Sequence, residues 1–151
     1  MIDDLRRSIR ARYKPDFEFT RVANVPFATP SKAAGASRIA LISTAGLHLD
    51  DQLPFDRDTL SGDCSFRRIR ADDDLARVRV WWDGEQQQPA NQDLNSAFPL
   101  ALLRELGNVA KTHYSFSGAI PEPRPLLEES APAVAVELRQ DGVDAVVIAP
   151  S

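Results

Sequence analysis

Residues 37–46 read SRIALISTAG, and this stretch decides the fold class. The run Ile39–Ile42 is apolar without alternation, which is typical of a strand buried on both faces of a parallel sheet. Thr44-Ala45-Gly46 then provides a turn. A second apolar run of the same character, Val143–Ala149, lies near the other end of the chain. Two such strands predict a sheet that is covered on both sides.

Shorter segments with strand character lie between these two runs. We expect strands at residues 66–69, 78–82 and 108–112, and a loop at residues 113–118 after the last of them. Because helices separate the strands, this order predicts an α/β fold: an open, mostly parallel sheet with flanking helices.

Two helices are expected in this part of the chain. The first spans residues 98–106, ends at Gly107 and turns four apolar side chains inward. These side chains are Phe98, Leu102, Leu103 and Leu106. The second begins at a Ser130 cap, tolerates Pro132 in its first turn and runs to Gly142.

The amino-terminal residues differ from the rest of the chain. Asp3–Tyr13 predicts a short amphipathic helix whose arginines form a solvated face. Lys14–Lys32 predicts an extended arm rich in proline and phenylalanine, which lies across the domain or reaches a neighbouring subunit. We therefore expect a helix and arm in residues 1–36 and one α/β domain in residues 37–151.

Charge and composition exclude several classes of protein. With 18 Lys and Arg against 22 Asp and Glu, the formal net charge is −4, which argues against a nucleic-acid surface. No apolar run approaches the roughly 20 residues that a membrane helix requires. Cys64 is the only cysteine, and the acidic start Met1–Asp4 is unlike a signal peptide. A reducing, cytoplasmic location is therefore expected.

The carboxyl ends of the predicted strands are where ligands bind in open α/β sheets. The loops at that edge offer hydroxyl groups, backbone amides and two imidazoles. The predicted substrate-binding residues are Thr44, Gly46, His48, His113, Tyr114 and Ser115. The pattern assigns no catalytic residue. Because it contains neither a phosphate-binding loop nor a dinucleotide fingerprint, we expect no cofactor.

A metal site is an alternative for the two histidines. His48 and His113 lack the spacing of helix-borne ligands, although Asp50, Asp51 or Asp93 could complete a site around them. We expect instead that each histidine forms hydrogen bonds in a loop and that no metal is bound.

Cys64 lies in a turn-like segment with Arg67 and Arg68 nearby. Positive charges of this kind lower a thiol pKa, so a nucleophilic Cys64 is one interpretation. A small filler residue is the interpretation that we favour.

A series of short segments, in a fixed order, carries a resemblance to one family. They are Ala40–Leu49, Gln52–Asp56, Gly62–Arg67, Asp93–Asn95, Phe98–Leu100, His113–Gly118, Leu126–Glu129 and Asp141–Val147. Together they resemble the selenoprotein B subunits of the glycine, sarcosine, betaine and D-proline reductases and their cysteine-containing relatives. The resemblance covers most of the chain.

The resemblance implies reductive cleavage of a carbon–nitrogen bond by a thiol or selenol of low pKa. In such proteins the reactive group follows a strand that Val143–Pro150 resembles, and we expect a short form that lacks this motif. Trp82-Asp83-Gly84 stands where relatives have a His-x-His-type segment. This difference favours a naturally short paralog over truncation at a selenocysteine codon.

The expected function is therefore that of a subunit or truncated paralog of such a reductase. It forms part of a substrate site that a partner chain, bearing the thiol or selenol, completes. A last strand without a following helix also favours a homo-oligomer or a heteromer with a catalytic paralog. The alternative is a non-enzymatic small-molecule-binding or regulatory module. A self-sufficient enzyme that uses Cys64 or a histidine-bound metal is a third hypothesis.

Overall fold

The structure is a computed structural model that describes residues 2–12, 15–19, 28–80, 93–118 and 120–150. Its helices are α1 (Ile2–Arg12), α2 (Leu100–Leu106) and α3 (Ala131–Gln140). Its strands are β1 (Arg38–Ser43), β2 (Leu47–Leu49), β3 (Phe66–Arg70), β4 (Val78–Val80), β5 (Asn108–Val109), β6 (Thr112–Phe116) and β7 (Ala145–Ala149). The end of the predicted strand 78–82, and Trp82-Asp83-Gly84, lie outside the described residues.

Strand β1 forms the centre of a mostly parallel sheet, which confirms the predicted fold class. Ile39 pairs with both Val109 of β5 and Ala145 of β7, so β5 and β7 lie on opposite edges of β1. Strand β6 continues β5 along the same edge, and β3 pairs with β6 in the antiparallel direction. Ala40 and Leu41 have no exposed surface. Neighbouring residues of a strand face opposite sides, so β1 is buried on both faces, as predicted.

Helices α2 and α3 cover opposite faces of the sheet. Leu100 of α2 belongs to the same apolar cluster as Leu41. Val134 of α3 clusters with Tyr114, and Ile42 packs against them. Because Leu41 and Ile42 are adjacent in β1, their side chains point to opposite faces. The two helices are thus the two outer layers of the domain.

The inward face of α2 differs in part from the prediction. Phe98 and Leu103 are buried as predicted, but Leu102 is 52% exposed and Leu106 is 66% exposed. The helix begins at Leu100, later than the predicted start at Phe98. Leu100 is buried, although we did not place it on the inward face. Burial at Leu100 and Leu103 is the three-residue spacing of one helix face.

The predicted loop at residues 113–118 is largely wrong, because residues up to Phe116 form strand β6. Two residues, Ala110 and Lys111, separate β6 from β5, so the strand predicted at 108–112 is divided at this point. His113 and Ser115 suggested a loop because they are polar. Both side chains instead have no exposed surface and accept hydrogen bonds from backbone N–H groups in the core.

The start of α3 also differs from the prediction. Leu126–Ser130 forms a π-helical turn that leads directly into α3, so Ser130 has helical backbone angles and does not cap the helix. Its Oγ donates a hydrogen bond to the carbonyl oxygen of Cys64 at 2.5 Å. Pro132 lies in the first turn of α3, as predicted.

Strand β7 has the predicted position but not the predicted burial. It begins at Ala145, and Val146, Val147 and Ile148 are 40%, 37% and 63% exposed. Its only strand partner among the described residues is β1. An edge strand with an apolar sequence is therefore present where we expected a buried one.

Helix α1 confirms the predicted amino-terminal helix, and no residue in it is buried. Its arginines form ion pairs with Asp3, Asp4 and Glu18, as expected of a solvated face. The central part of the predicted arm, residues 20–27, lies outside the described residues. None of the helices in the described ranges is long and apolar enough to span a membrane.

Candidate functional site

The order of the parallel strands creates a switch point between β1 and β7. From β1 the chain reaches β5 and β6 on one side, and from β6 it crosses through α3 to β7 on the other side. The connecting helices α2 and α3 lie on opposite faces. In open α/β sheets, ligands bind in the crevice outside the carboxyl ends of the strands at such a point. Those ends are Ser43 of β1 and Ala149 of β7.

The turn that follows β1 contacts both neighbouring strands at this edge. The backbone N–H of Thr44 donates to the carbonyl oxygen of Ala149 at 3.1 Å, and that of Gly46 donates to Phe116 at 2.9 Å. Gly46 has a φ of 66°, a conformation that favours glycine. The turn after β1 and the carboxyl ends of β6 and β7 therefore meet at one edge of the sheet.

Two buried serines accept the remaining N–H groups of this turn. Ser43 Oγ accepts from the backbone of Ala45 at 3.2 Å, and Ser115 Oγ accepts from Leu47 at 2.7 Å. All four successive N–H groups of residues 44–47 thus have acceptors within the fold. These four amides are therefore not free to donate a hydrogen bond to a ligand.

His48 lies beside this turn, in strand β2 and not in a loop as we expected. It is 8% exposed, and its Nδ1 lies 3.4 Å from the carbonyl oxygen of Gly46. Burial lowers the pKa of His48, the contact with Gly46 opposes this effect, and the charges of Arg67, Arg79 and Arg57 lower the pKa further. The lowered pKa favours the neutral form of the imidazole.

His113 is the second residue of β6 and follows the interruption between β5 and β6. Its Nδ1 accepts a hydrogen bond from the backbone N–H of Leu41 at 3.0 Å, which places the ring proton on Nε2. Nε2 has no partner among the described residues, and the ring meets Phe98 edge to face at 6.0 Å. Burial, with a smaller effect from Arg104, lowers the pKa of His113 from 6.5 to about 4. The imidazole therefore replaces a backbone acceptor that the interrupted strand lacks.

Tyr114 faces the side of the sheet that α3 covers. Its hydroxyl donates to Glu137 Oε2 at 3.0 Å, and Arg68 Nε donates to the same oxygen at 2.8 Å. Burial, followed by the hydrogen bond to Glu137, raises the pKa of Tyr114 well above its ordinary value. These contacts attach α3 to the sheet.

The structure thus brings together only some of the predicted site residues. Thr44, Gly46, His48 and Ser115 surround the turn after β1, whereas His113 and Tyr114 lie within the sheet. That the predicted residues bind a substrate stays a prediction.

Two serines that are not among the predicted substrate-binding residues also lie at this edge. Ser43 supports the turn, and the Oγ of Ser117, which is 2% exposed, has no hydrogen-bond partner among the described residues. Each serine directly follows an apolar strand residue, and this position in the sequence could have indicated that it lies at the end of a strand.

The alternative sites receive no support from the geometry. No group of three or more His, Cys, Asp or Glu in the described part of the chain is placed to hold a metal ion. Cys64 is half-buried, with its Sγ 3.6 Å from the carbonyl oxygen of Glu122. Arg67 instead stacks over Phe55 at 4.2 Å and lies 3.9 Å from Asp63.

The chain is similar to D-proline reductase subunit gamma of Acetoanaerobium sticklandii. The two are 31% identical over 116 residues, which cover 73% of this chain and 47% of the relative. The chain therefore spans about half the length of the curated relative that it matches. No protein-family model and no solved structure matches the chain. The similarity fits the reductase family that the sequence resembles, without singling out one member.

Proposed function

We propose that this protein is a subunit of a reductase and that it contributes the β1–β7 switch point to a small-molecule site. The observation that carries this proposal is the similarity to D-proline reductase subunit gamma over most of the chain. The strand order supports it independently, because it predicts a ligand crevice beside Thr44.

The proposed substrate is a small amino acid or a related amine with a carboxylate. The similarity to a D-proline reductase subunit supports this substrate class. The charges of Arg67 and Arg79 reach His48, and each of these arginines also pairs with a carboxylate of the chain, Asp63 and Asp50 respectively. Because Nδ1 of His48 faces the carbonyl oxygen of Gly46, its Nε2 is left to accept a hydrogen bond from an N–H group of the ligand. Thr44, half-buried at the end of β1, contacts the bound molecule from the other side of the turn.

The reducing group is proposed to belong to a partner chain. Reductive cleavage of a carbon–nitrogen bond to C–H and N–H takes two electrons and two protons. Two thiols, or a selenol and a thiol, supply them and become a disulfide or a selenenyl sulfide, which a dithiol reductant returns to the reduced form. We do not assign this role to Cys64, whose Sγ contacts the carbonyl oxygen of Glu122. A cytoplasmic location remains our expectation.

The test is ligand binding by the assembly purified from the native source, with this chain present. Isothermal titration calorimetry with D-proline, glycine, sarcosine and betaine is expected to show saturable binding of at least one compound. Substrate-dependent oxidation of a dithiol reductant then distinguishes a reductase from a module that only binds. Absence of both binding and turnover contradicts the proposal.

A further inference from the structure

Strand β6 and the residue that follows it carry buried polar side chains along one face. His113, Ser115 and Ser117 alternate with the apolar Tyr114 and Phe116, and none of the three polar residues is more than 2% exposed. Because alternate residues of a strand share a face, the polar side chains lie opposite to Tyr114 and Phe116, which pack with α3. The polar face of β6 is therefore the one that α2 covers.

Two of these three side chains accept hydrogen bonds within the fold. His113 Nδ1 and Ser115 Oγ accept from the backbone N–H groups of Leu41 and Leu47, at 3.0 and 2.7 Å. Ser117 Oγ, by contrast, has no hydrogen-bond partner among the described residues. A buried hydroxyl without a partner lowers the stability of a protein, so its presence requires an explanation.

Ser117 lies beside the turn at the switch point. It forms an antiparallel bridge with Ala45, and the backbone N–H of Gly46 donates to the carbonyl oxygen of the residue before Ser117 at 2.9 Å. The carbonyl oxygen of Gly46 is in turn the contact of His48 Nδ1. Ser117 therefore lies on the β6 side of this turn, whereas Thr44, whose N–H bonds to β7, lies on the other side.

Another buried polar atom without a partner in the described part of the chain has different surroundings. It is Nε2 of His113, whose ring meets Phe98 edge to face at 6.0 Å. Four residues of extended chain, about 13 Å, separate His113 from Ser117. A ligand at the carboxyl ends of the strands is therefore close to Ser117 and distant from His113.

We propose that Ser117 binds the substrate of the proposed site and that its hydroxyl donates a hydrogen bond to the carboxylate of the ligand. This proposal rests on the proposed function, because it requires a small amino acid or a related amine with a carboxylate at the switch point. His48 Nε2 is left to accept from the ligand, so the carboxylate, which only accepts, needs a separate donor. Rotation about the Cα–Cβ bond of Ser117 turns its hydroxyl toward the crevice.

Ligand binding by the native assembly tests this proposal. Titration calorimetry with D-proline, glycine, sarcosine and betaine, all of which carry a carboxylate, compares the parent protein with Ser117→Ala. For each compound that binds the parent, we expect the substitution to weaken binding at least about ten-fold, because a hydrogen bond to a charged group is lost. Ser8→Ala is the matched control, since Ser8 is an exposed serine of α1, and its affinity is expected to stay unchanged.

Thermal unfolding separates ligand binding from a structural role. Ser117→Ala removes a hydroxyl that has no partner in the described fold, so the melting temperature of the chain is expected to stay the same or to rise by up to about 4 °C. Ser115→Ala is the contrast. Its hydroxyl accepts from Leu47, so this substitution is expected to lower the melting temperature.

Three results overturn the proposal. Equal affinity of the parent and Ser117→Ala excludes Ser117 from the site and leaves the proposed function intact. A lower melting temperature of Ser117→Ala shows that its hydroxyl is bonded within the fold and is structural. Absence of binding of every compound to the parent assembly contradicts the proposed function as well, so the two failures are distinguishable.

Discussion

Buried polar side chains complete the backbone hydrogen bonding of this sheet at the positions where regular pairing stops. Ser43 and Ser115 hold the turn after β1, and His113 supplies the acceptor that the interruption between β5 and β6 removes. An unpaired buried N–H group costs about 1–3 kcal/mol. Each of these side chains therefore stabilises the sheet by an amount that can be measured.

Ser115→Ala is expected to lower the free energy of unfolding by about 1–3 kcal/mol, because it leaves the buried N–H of Leu47 without an acceptor. Ser43→Ala is the comparison variant, and its effect is expected to be smaller because the corresponding contact is longer, 3.2 Å against 2.7 Å. Urea denaturation measures both. Equal stability of Ser115→Ala and the parent chain contradicts this role.

His113 predicts a specific dependence of stability on pH. Its pKa is lowered from 6.5 to about 4 in the folded state, so the unfolded chain binds a proton first as the pH falls. The stability that this neutral imidazole provides is fully present above about pH 6.5 and is lost between pH 6.5 and about 4. The shift corresponds to about 3 kcal/mol.

The variant His113→Leu isolates this effect. It removes the titrating group and also the acceptor for Leu41, so we expect lower stability at pH 7 and a flatter dependence between pH 6.5 and 4.5. Denaturation curves at several pH values measure the difference in slope. An unchanged slope in the variant means that another group causes the acid sensitivity.

The sequence was sufficient to place Thr44, Gly46 and His48 near one another, because they follow a recognisable strand. It was not sufficient for His113 and Ser115. Polar residues usually indicate a loop, and only the three-dimensional structure shows that their side chains replace backbone partners in the core.

Among the secondary-structure elements, α3 packs on the sheet through Val134 and forms polar contacts with it through Glu137. This carboxylate accepts hydrogen bonds from the buried Tyr114 and from Arg68. Glu137→Ala is expected to lower the free energy of unfolding by about 1–3 kcal/mol, because the Tyr114 hydroxyl loses its charged acceptor.

Glu129→Ala is the matched control for this substitution. Glu129 is exposed in the turn before α3, and we expect its replacement to change stability by less than about 0.5 kcal/mol. Thermal unfolding followed by circular dichroism compares the two variants. Equal effects show that the attachment of α3 does not depend on Glu137.

The elements that the sequence predicted best are those with long apolar runs. β1 and β7 were located from such runs, and α2 and α3 from helical spacing. The exposure of β7 was not predictable. An apolar run indicates that a strand is suited to burial, but it does not show which elements pack against that strand. The π-helical turn Leu126–Ser130 has no distinct pattern in the sequence.

At the scale of the whole molecule, the switch point predicts where substitutions affect ligand binding. Thr44→Val keeps the shape of the side chain and removes its hydroxyl, and it is expected to weaken binding by the native assembly about ten-fold. Thr59→Val is the matched control, since the hydroxyl of Thr59 bonds locally to Asp56. Calorimetric titration measures both, and equal affinities contradict a site beside Thr44.

The central claim is that this chain forms a reductase site together with a partner that bears the reducing group. The most direct measurement is to purify the assembly from its native source and label it with iodoacetamide under mildly acidic conditions, with and without D-proline. Under mildly acidic conditions only thiols or selenols of low pKa react with iodoacetamide. We predict a stoichiometric partner chain whose reactive group is labelled and is protected by the substrate. Isolation of this chain alone, or a label on this same polypeptide, would contradict the claim.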